Sequence, residues 1–303
     1  MALLTGAFVT IGIVYMAPLP MLMAGLALGS RAAAIAALTE VLAMGFFGGS
    51  ALAGIFAVVH GVPSWAVVKL ALSPRIGGGA QTAATGGSAQ GAWMAPGWIV
   101  AALTVFAAGM VVMAAIAVND VGLSKFVAQH LGRVLETMAP GYGAANSGQI
   151  AQAITPLFAG TAATSWVVMV TVNAVIAQGL LVRICHNRRP SPSYVGLELP
   201  GWLSWPLVGA AVLALAGSGE WEYLGRNLAM VLALPYFLLG LAVVHTAARR
   251  VTATTLLLVA FYLVIVISIW AALVVAGIGV AEHWFGLRGR IGPNPGRNGD
   301  PDE

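Results

Sequence analysis

Long apolar runs recur along the whole chain, and they constrain its fold more than any other feature. Several of these runs approach 20 residues, the length at which an α-helix crosses roughly 30 Å of hydrocarbon. Charged residues make up only 8% of the chain, against about 25% in soluble globular domains. Such a surface has too few charges to be soluble in water. The sequence therefore predicts an all-α fold, a polytopic bundle of transmembrane helices in a lipid bilayer.

The runs predict about eight spans in a single bundle domain that covers residues 1–286. The predicted spans are an opening unit of Leu3–Met16 with Leu19–Gly29, then Ala32–Phe47, Leu52–Leu72, Trp98–Val118, Ile154–Val182, Trp202–Ala216, Asn227–Thr246 and Thr254–Val280. The count becomes nine if the opening unit crosses twice. Residues 287–303 are predicted to be a disordered polar tail.

Two segments between the spans do not cross the membrane. Residues 73–97 are rich in Gly, Ala, Ser and Gln, which is typical of a flexible linker. Residues 120–139 form an amphipathic pattern, with Asp120 as the predicted N-cap and Pro140 as the stop. The apolar stripe of this pattern consists of Leu123, Val127, Leu131, Val134 and Met138. We expect a helix lying flat at the membrane interface, or alternatively a lid over a cavity.

Basic residues in the connecting loops predict the orientation. Arg31, Lys69 and the group Arg183–Arg189 fall on one side of the predicted bundle, and this side is expected to be cytoplasmic. The location would then be the cytoplasmic (inner) membrane of a bacterium, with residues 73–97 on the cytoplasmic face. Arg288 in the tail conflicts with this assignment, because eight spans leave it on the opposite side.

Pro18 and Pro20 interrupt the opening apolar run. A proline frees a backbone carbonyl, and at membrane depth that carbonyl must be satisfied by protein or by a wet cavity. The segment therefore forms either a turn at the membrane surface or a break inside one span. A break inside a span would line a substrate site, as broken helices do in transporters.

Three polar residues within the predicted spans are candidates for binding a ligand or a proton. Glu40 and His60 each lie ten residues from Ser50, so a hairpin that turns at Gly48–Ser50 brings them to the same depth. Intramembrane ionisable groups often mark functional sites, but a buried pair that joins two helices is the alternative. Asn173 is the third candidate, with interhelical hydrogen bonding as its alternative. Pro63 follows His60 and would let the helix open there.

Several stretches resemble the bacterial membrane protein family known as domain of unknown function 2232. They are the opening segment from Tyr15 to Ala33, Trp93-Met94-Ala95-Pro96-Gly97, and the closing Trp284–Arg288. The layout is also distantly similar to the substrate-binding membrane subunits of energy-coupling-factor transporters. In those subunits an early proline is likewise followed by Gly-x-x-x-Gly, here Gly25 to Gly29. This resemblance implies a helix bundle with Pro18, Pro20 and Gly25 near a cavity, and it implies no established activity.

The residues also exclude several functions. The only aspartates are Asp120, Asp300 and Asp302, so paired intramembrane acids cannot form, and no His-Glu-x-x-His or phosphate-binding loop motif occurs. We therefore expect no enzyme, no catalytic residue, no cofactor, no metal and no nucleic-acid partner. The prediction is a transport-type subunit that binds a small solute and relies on an energising partner protein. The alternative is a membrane scaffold or assembly factor.

Overall fold

The computed structural model describes residues 12, 15–74, 93–138, 144–192, 197–250 and 253–291. The helices are α1 (Pro18–Leu28), α2 (Ser30–Phe56), α3 (Val62–Ala71), α4 (Pro96–Ala117), α5 (Leu123–Met138), α6 (Ala144–Arg183), α7 (Ser204–Ala216), α8 (Glu220–Ala248), α9 (Thr254–Ile267), α10 (Ile269–Phe285) and α11 (Leu287–Ile291). A π-helical turn, Ala57–Gly61, joins α2 to α3, and a 3₁₀ turn, Gly201–Leu203, precedes α7. The described residues form an all-helical bundle, as predicted.

Four helical stretches in the described residues are long and apolar enough to cross a membrane. They are Ser30–Ala71, Pro96–Ala117, Asn146–Arg183 and Glu220–Ala248, and the bent pair of α9 and α10 makes five if it is one span. The predicted count of about eight is not confirmed. One reason is that α1 and α7 are short, and another is that the first stretch folds back on itself.

The chain reverses at Gly49, inside the stretch that begins at Ser30. Gly49 has φ +80° and ψ 174°, a conformation that only glycine adopts easily. Residues equally far from it face each other: a Cβ at Gly45 would lie 3.3 Å from Ala53 Cβ, and one at Gly61 would lie 3.8 Å from Ala37 Cβ. The predicted tight link Gly48-Gly49-Ser50 is therefore the tip of a helical hairpin.

In the described part of the opening unit, Pro18 and Pro20 mark a break within a helix. Ala17, immediately before Pro18, keeps helical dihedrals of φ −53° and ψ −39°. The carbonyl of Tyr15 accepts a hydrogen bond of 2.8 Å from the Asn173 amide, ten residues before the end of α6. Ten residues of α6 rise about 15 Å, so this contact lies well away from the end of that helix, which favours a break inside a span over a surface turn.

One end of the bundle is held together by arginines, and we call it the arginine end. Arg189 donates to the carbonyls of Ala71 (2.8 Å) and Met94 (3.4 Å), and so joins the end of α3 to the start of α4. Arg188 donates to the carbonyl of Leu28 at the end of α1. Of the predicted linker 73–97, residues 75–92 lie outside the described residues. Its two ends meet, because the amide of Met94 donates to the carbonyl of Ser73.

The opposite end, which we call the glutamate end, contains the amphipathic helix. α5 follows the end of α4, and its first turn contacts Glu220 at the start of α8. The predicted N-cap at Asp120 is wrong, since the helix begins at Leu123. The Glu220 carboxylate accepts from the backbone N–H of Ser124 (3.1 Å) and from its hydroxyl. A carboxylate from a distant helix thus performs the capping that the local sequence was expected to supply.

The last two apolar helices, α9 and α10, form a bent pair after α8. α8 starts at the glutamate end, and its 29 residues reach the arginine end. α9 and α10 then meet at Ser268 with a bend of 115°. Beyond them Arg288 donates to the carbonyl of Leu197 (2.7 Å), next to Glu198, whose carbonyl packs against Gly97 at the start of α4.

Arg288 therefore lies near the start of α4, which Arg189 also contacts through the carbonyl of Met94. The prediction treated Thr254–Val280 as one crossing, but the described helices bend by 115° at Ser268. The helix Leu287–Ile291 also occupies the start of the predicted tail, and Arg288 pairs there with Glu282 (2.7 Å). The remainder of the predicted tail lies outside the described residues.

Candidate functional site

A π-helical turn interrupts the second arm of the hairpin at membrane depth. In a regular α-helix the carbonyl of Val59 would accept from residue 63, but Pro63 has no N–H. The indole N–H of Trp166 on α6 donates to this carbonyl instead, at 2.9 Å. The interruption therefore creates a specific link between the hairpin and α6.

A second interruption lies in α6, where Pro156 removes one bond from the hydrogen-bond ladder of an otherwise continuous helix. The side-chain amide of Asn227, on α8, inserts between Pro156 and Gly160. It accepts from the N–H of Gly160 (2.6 Å) and donates to the carbonyl of Pro156 (3.2 Å). A Cβ on Gly160 would lie 2.9 Å from the Asn227 backbone, so glycine is needed for this close approach. Side chains that insert into a helix ladder in this way are a known cause of bends.

A cavity of about 330 Å³ lies between the two interruptions. α4, α5, α6 and the hairpin arm all contribute to its wall. The lining residues are Val58, Val59, Phe106, Ala107, Met110, Val111, Ala114, Leu123, Phe126, Val127, Phe158, Ala159, Ala162, Ala163 and Trp166. Phe106 and Trp166 stack with ring centroids 5.6 Å apart. Every lining side chain is apolar except the indole, and the indole N–H is already hydrogen-bonded.

The amphipathic helix closes the cavity at the glutamate end. Leu123 of α5 is buried in a small core with Val111 of α4 and Tyr223 of α8, and Val127 packs against the same core. Phe126 lines the cavity and remains about one-third exposed, with the His130 ring tilted against it at a centroid distance of 3.9 Å. α5 therefore lies where the predicted lid would lie.

A more polar cleft of about 680 Å³ borders the other flank of α5. Its charged groups include Asp120, Lys125, Glu220, Glu222 and Arg226. Glu220 is occupied as the cap of α5, and Arg226 pairs with Glu222 on its own helix. No group of three metal-ligating side chains occurs in the part of the chain that the structure describes.

The predicted candidates Glu40 and His60 reach the same depth but do not join. With the reversal at Gly49 they lie nine and eleven residues from the tip. No hydrogen bond or ion pair connects them among the described residues. Glu40 Oε2 and His60 Nδ1 are each buried without a hydrogen-bond partner there. The His60 ring stacks on Phe56 at 4.9 Å, and the residues that line the cavity are its neighbours, Val58 and Val59.

The other predicted candidates have identifiable packing roles. The Asn173 amide donates to the carbonyls of Tyr15 and Met169, both at 2.8 Å. Pro18 is buried in α1, whereas Pro20 is exposed. A Cβ on Gly25 would lie 2.6 Å from Val68 Cγ2, so Gly25 brings α1 against α3. None of them lines the large apolar cavity.

Sequence reasoning missed the residues that build the cavity. Trp166 and Asn227 are the two that bridge helices, and neither stood out from other polar groups in apolar runs. Pro63 was a usable signal, because a proline identifies the carbonyl four residues before it as one that needs a donor. The identity of that donor depends on which helices pack together, and the sequence does not state this.

A family model for predicted membrane proteins, DUF2232, matches residues 1–282. The chain belongs to this family. The match extends from the opening unit into α10 and includes every residue that lines the cavity. No curated protein and no solved structure matches the chain. The predicted resemblance to this family is therefore confirmed, although the closing Trp284–Arg288 lies beyond the match, and the energy-coupling-factor layout stays a prediction.

Proposed function

We propose that this protein is a transport-type membrane subunit that binds a small solute in the cavity beneath α5. The observation that carries the proposal is the position of the cavity between two interrupted helices. Interrupted backbone at membrane depth is tolerated where it is buried in protein or lines a cavity. Transporters build their substrate sites from such discontinuous helices.

The size of the cavity supports a binding role over a packing defect. Protein interiors are packed like organic crystals, with few voids larger than a water molecule. Unfilled volume is also costly, at about 24 cal/mol per Å³ in one well-studied soluble protein. An apolar cavity of about 330 Å³ that opens at the side of the bundle is therefore expected to hold a guest.

A solute-binding subunit of this kind needs an outside source of energy. The sequence contains no nucleotide-binding loop, so ATP hydrolysis is assigned to a partner protein. The missing catalytic motifs, paired intramembrane acids and His-Glu-x-x-His, argue against an enzyme. We place the protein in a bacterial cytoplasmic membrane with the arginine end toward the cytoplasm, in line with the distribution of basic residues.

The test is retention of a small molecule by the purified full-length protein. Ala162 lines the cavity and is exposed, so Ala162→Phe fills the opening without entering the core. Ala153→Phe is the matched control, because Ala153 is also exposed on α6 and does not line the cavity. Mass spectrometry of extracts should find one molecule with the wild type and the control and lose it with Ala162→Phe. Uptake of that molecule by cells then tests transport, and the proposal fails if nothing depends on Ala162.

A scaffold or assembly role is the second candidate, and Glu40 favours it. The first arm of the hairpin buries only Ala33 and leaves large apolar side chains outward, among them Leu38 and Leu42. Glu40 lies on this arm at mid-depth and has a buried oxygen without a partner among the described residues. A partner helix that packs against this arm would bring a donor side chain to the exposed part of the Glu40 carboxyl group.

This second role predicts that Glu40→Ala weakens co-purification of a membrane partner and leaves solute retention unchanged. Thr39→Ala is the control, because the Thr39 hydroxyl bonds to its own helix at the carbonyl of Ile35. Loss of the retained solute in Glu40→Ala would instead support the original prediction that Glu40 binds the solute.

A further inference from the structure

We infer that the cavity beneath α5 takes the hydrocarbon chain of an amphiphile that enters sideways from the bilayer. The inference rests on the same cavity as the proposed function and names the class of molecule that it binds. It depends on three features of the site: the chemistry of the wall, the position of the opening and the volume.

The wall offers no hydrogen-bonding group to a guest. Its one polar side-chain group is the Trp166 indole N–H, and the Val59 carbonyl already accepts it at 2.9 Å. A polar solute would lose its hydrogen bonds to water here without replacement, at a cost of several kcal/mol per group. Apolar cavities of this kind stay dry and bind apolar molecules.

The opening of the cavity lies at the depth of the lipid chains. Val58, Met110 and Phe158 line the cavity and are also partly exposed, between 37% and 42%, on the outside of the bundle. Val58 is nine residues from the hairpin tip and Met110 seven from the end of α4. At 1.5 Å per residue these positions are roughly 10 to 14 Å from the glutamate end. Half of a hydrocarbon core is about 15 Å thick, so the outside of the bundle is lipid at this depth.

The volume suits one chain rather than a whole lipid. At about 30 Å³ for each water-sized group, the cavity of about 330 Å³ accommodates on the order of ten such groups. A hydrocarbon chain of about ten such groups fills the cavity, while the polar head of the amphiphile stays outside it. The rest of a longer chain leads out through the opening to a head at the membrane interface.

The test uses palmitic acid with a diazirine at mid-chain, added to the full-length protein in phosphatidylcholine nanodiscs. After photolysis, peptide mapping should find labels on α6 between Phe158 and Trp166 and on α4 between Phe106 and Ala114. Unlabelled palmitate should compete for this labelling, and so should decane, which has only the chain. Acetate, which has only the carboxylate, should not. Labelling of the outer hairpin arm near Leu38 is the internal reference for bulk lipid, and no competitor should reduce it.

Ala162→Phe should lower the competed labelling about tenfold, a loss of about 1.4 kcal/mol, and Ala153→Phe should leave it unchanged. The inference is wrong if cavity labelling only matches the reference, or if acetate competes and decane does not. Specific labelling without uptake of any retained molecule would keep the chain-binding site and refute the transport role. Retention of a polar molecule without specific labelling would instead support the solute-binding role and refute the chain-binding site.

Discussion

At the scale of single residues, a few side chains compensate for breaks in the helices. Pro63 leaves the Val59 carbonyl without its helical donor, and Trp166 supplies one. Asn227 bonds to both the Pro156 carbonyl and the Gly160 N–H, next to the proline in α6. In lipid no water can take these positions. Substitutions at such residues should therefore destabilise the fold by more than the size of the removed group alone would suggest.

Trp166→Phe should destabilise the protein by about 1 to 3 kcal/mol, because it keeps an aromatic ring in the stack with Phe106 but leaves the Val59 carbonyl unsatisfied. Thermal unfolding in detergent measures the change. Trp205→Phe is the control, because Trp205 is 77% exposed. Equal effects of the two substitutions would show that the hydrogen bond does not matter.

Gly25→Ala should cost about 1 to 3 kcal/mol through overpacking, since the new Cβ would lie 2.6 Å from Val68 Cγ2 and 2.7 Å from Ala33 Cβ. Gly109→Ala, in α4 with open space around it, should be neutral or slightly stabilising. The same unfolding measurement compares the two. Val68→Ala should recover part of the loss in the double variant, and additive losses would contradict the proposed clash.

At the scale of elements, the sequence predicts what local pattern determines and fails where distant elements meet. The reversal at Gly49 and the amphipathic helix were predictable, because glycine content and apolar spacing are local properties. The cap of α5 was not, since Glu220 lies 96 residues from Ser124. The cavity was not predictable for the same reason: four separate elements form its wall, and each contributes ordinary apolar residues.

Glu220→Ala should loosen the first turn of α5, because the Ser124 N–H loses its acceptor. A lost cap costs about 1 kcal/mol, which corresponds to roughly fivefold faster amide exchange. Hydrogen exchange with mass spectrometry on peptides that cover residues 123–130 measures it. Glu222→Ala should change little, since its pair with Arg226 is partly exposed. Unchanged exchange in Glu220→Ala would mean that packing alone holds α5.

At the scale of the whole molecule, the bundle has one basic end and one end with the amphipathic helix. The positive residues in the loops predicted this polarity, and the described structure gathers Arg188, Arg189 and Arg288 at the same end. The number of spans was less predictable. Apolar length alone does not distinguish a crossing from the bent pair at Ser268.

Cysteine labelling tests the arrangement of the ends. The native Cys185 is exposed beside Arg188 at the arginine end. A membrane-impermeant maleimide should label Cys185, and Gly289→Cys in a Cys185→Ser background, from the same side of sealed vesicles. Asp120→Cys in that background should be labelled only from the other side. Labelling of position 289 together with position 120 would show that the last two helices form a full crossing.

The hairpin tip has a consequence for biogenesis. One glycine makes the whole reversal, and Phe46 and Phe47 beside it are each 85% exposed. No hydrophilic segment separates the two arms, so a translocation machinery has no loop there to move across the membrane separately. We therefore expect residues 30–71 to partition into lipid as one preassembled unit. The first arm would not insert before the second arm has left the ribosome.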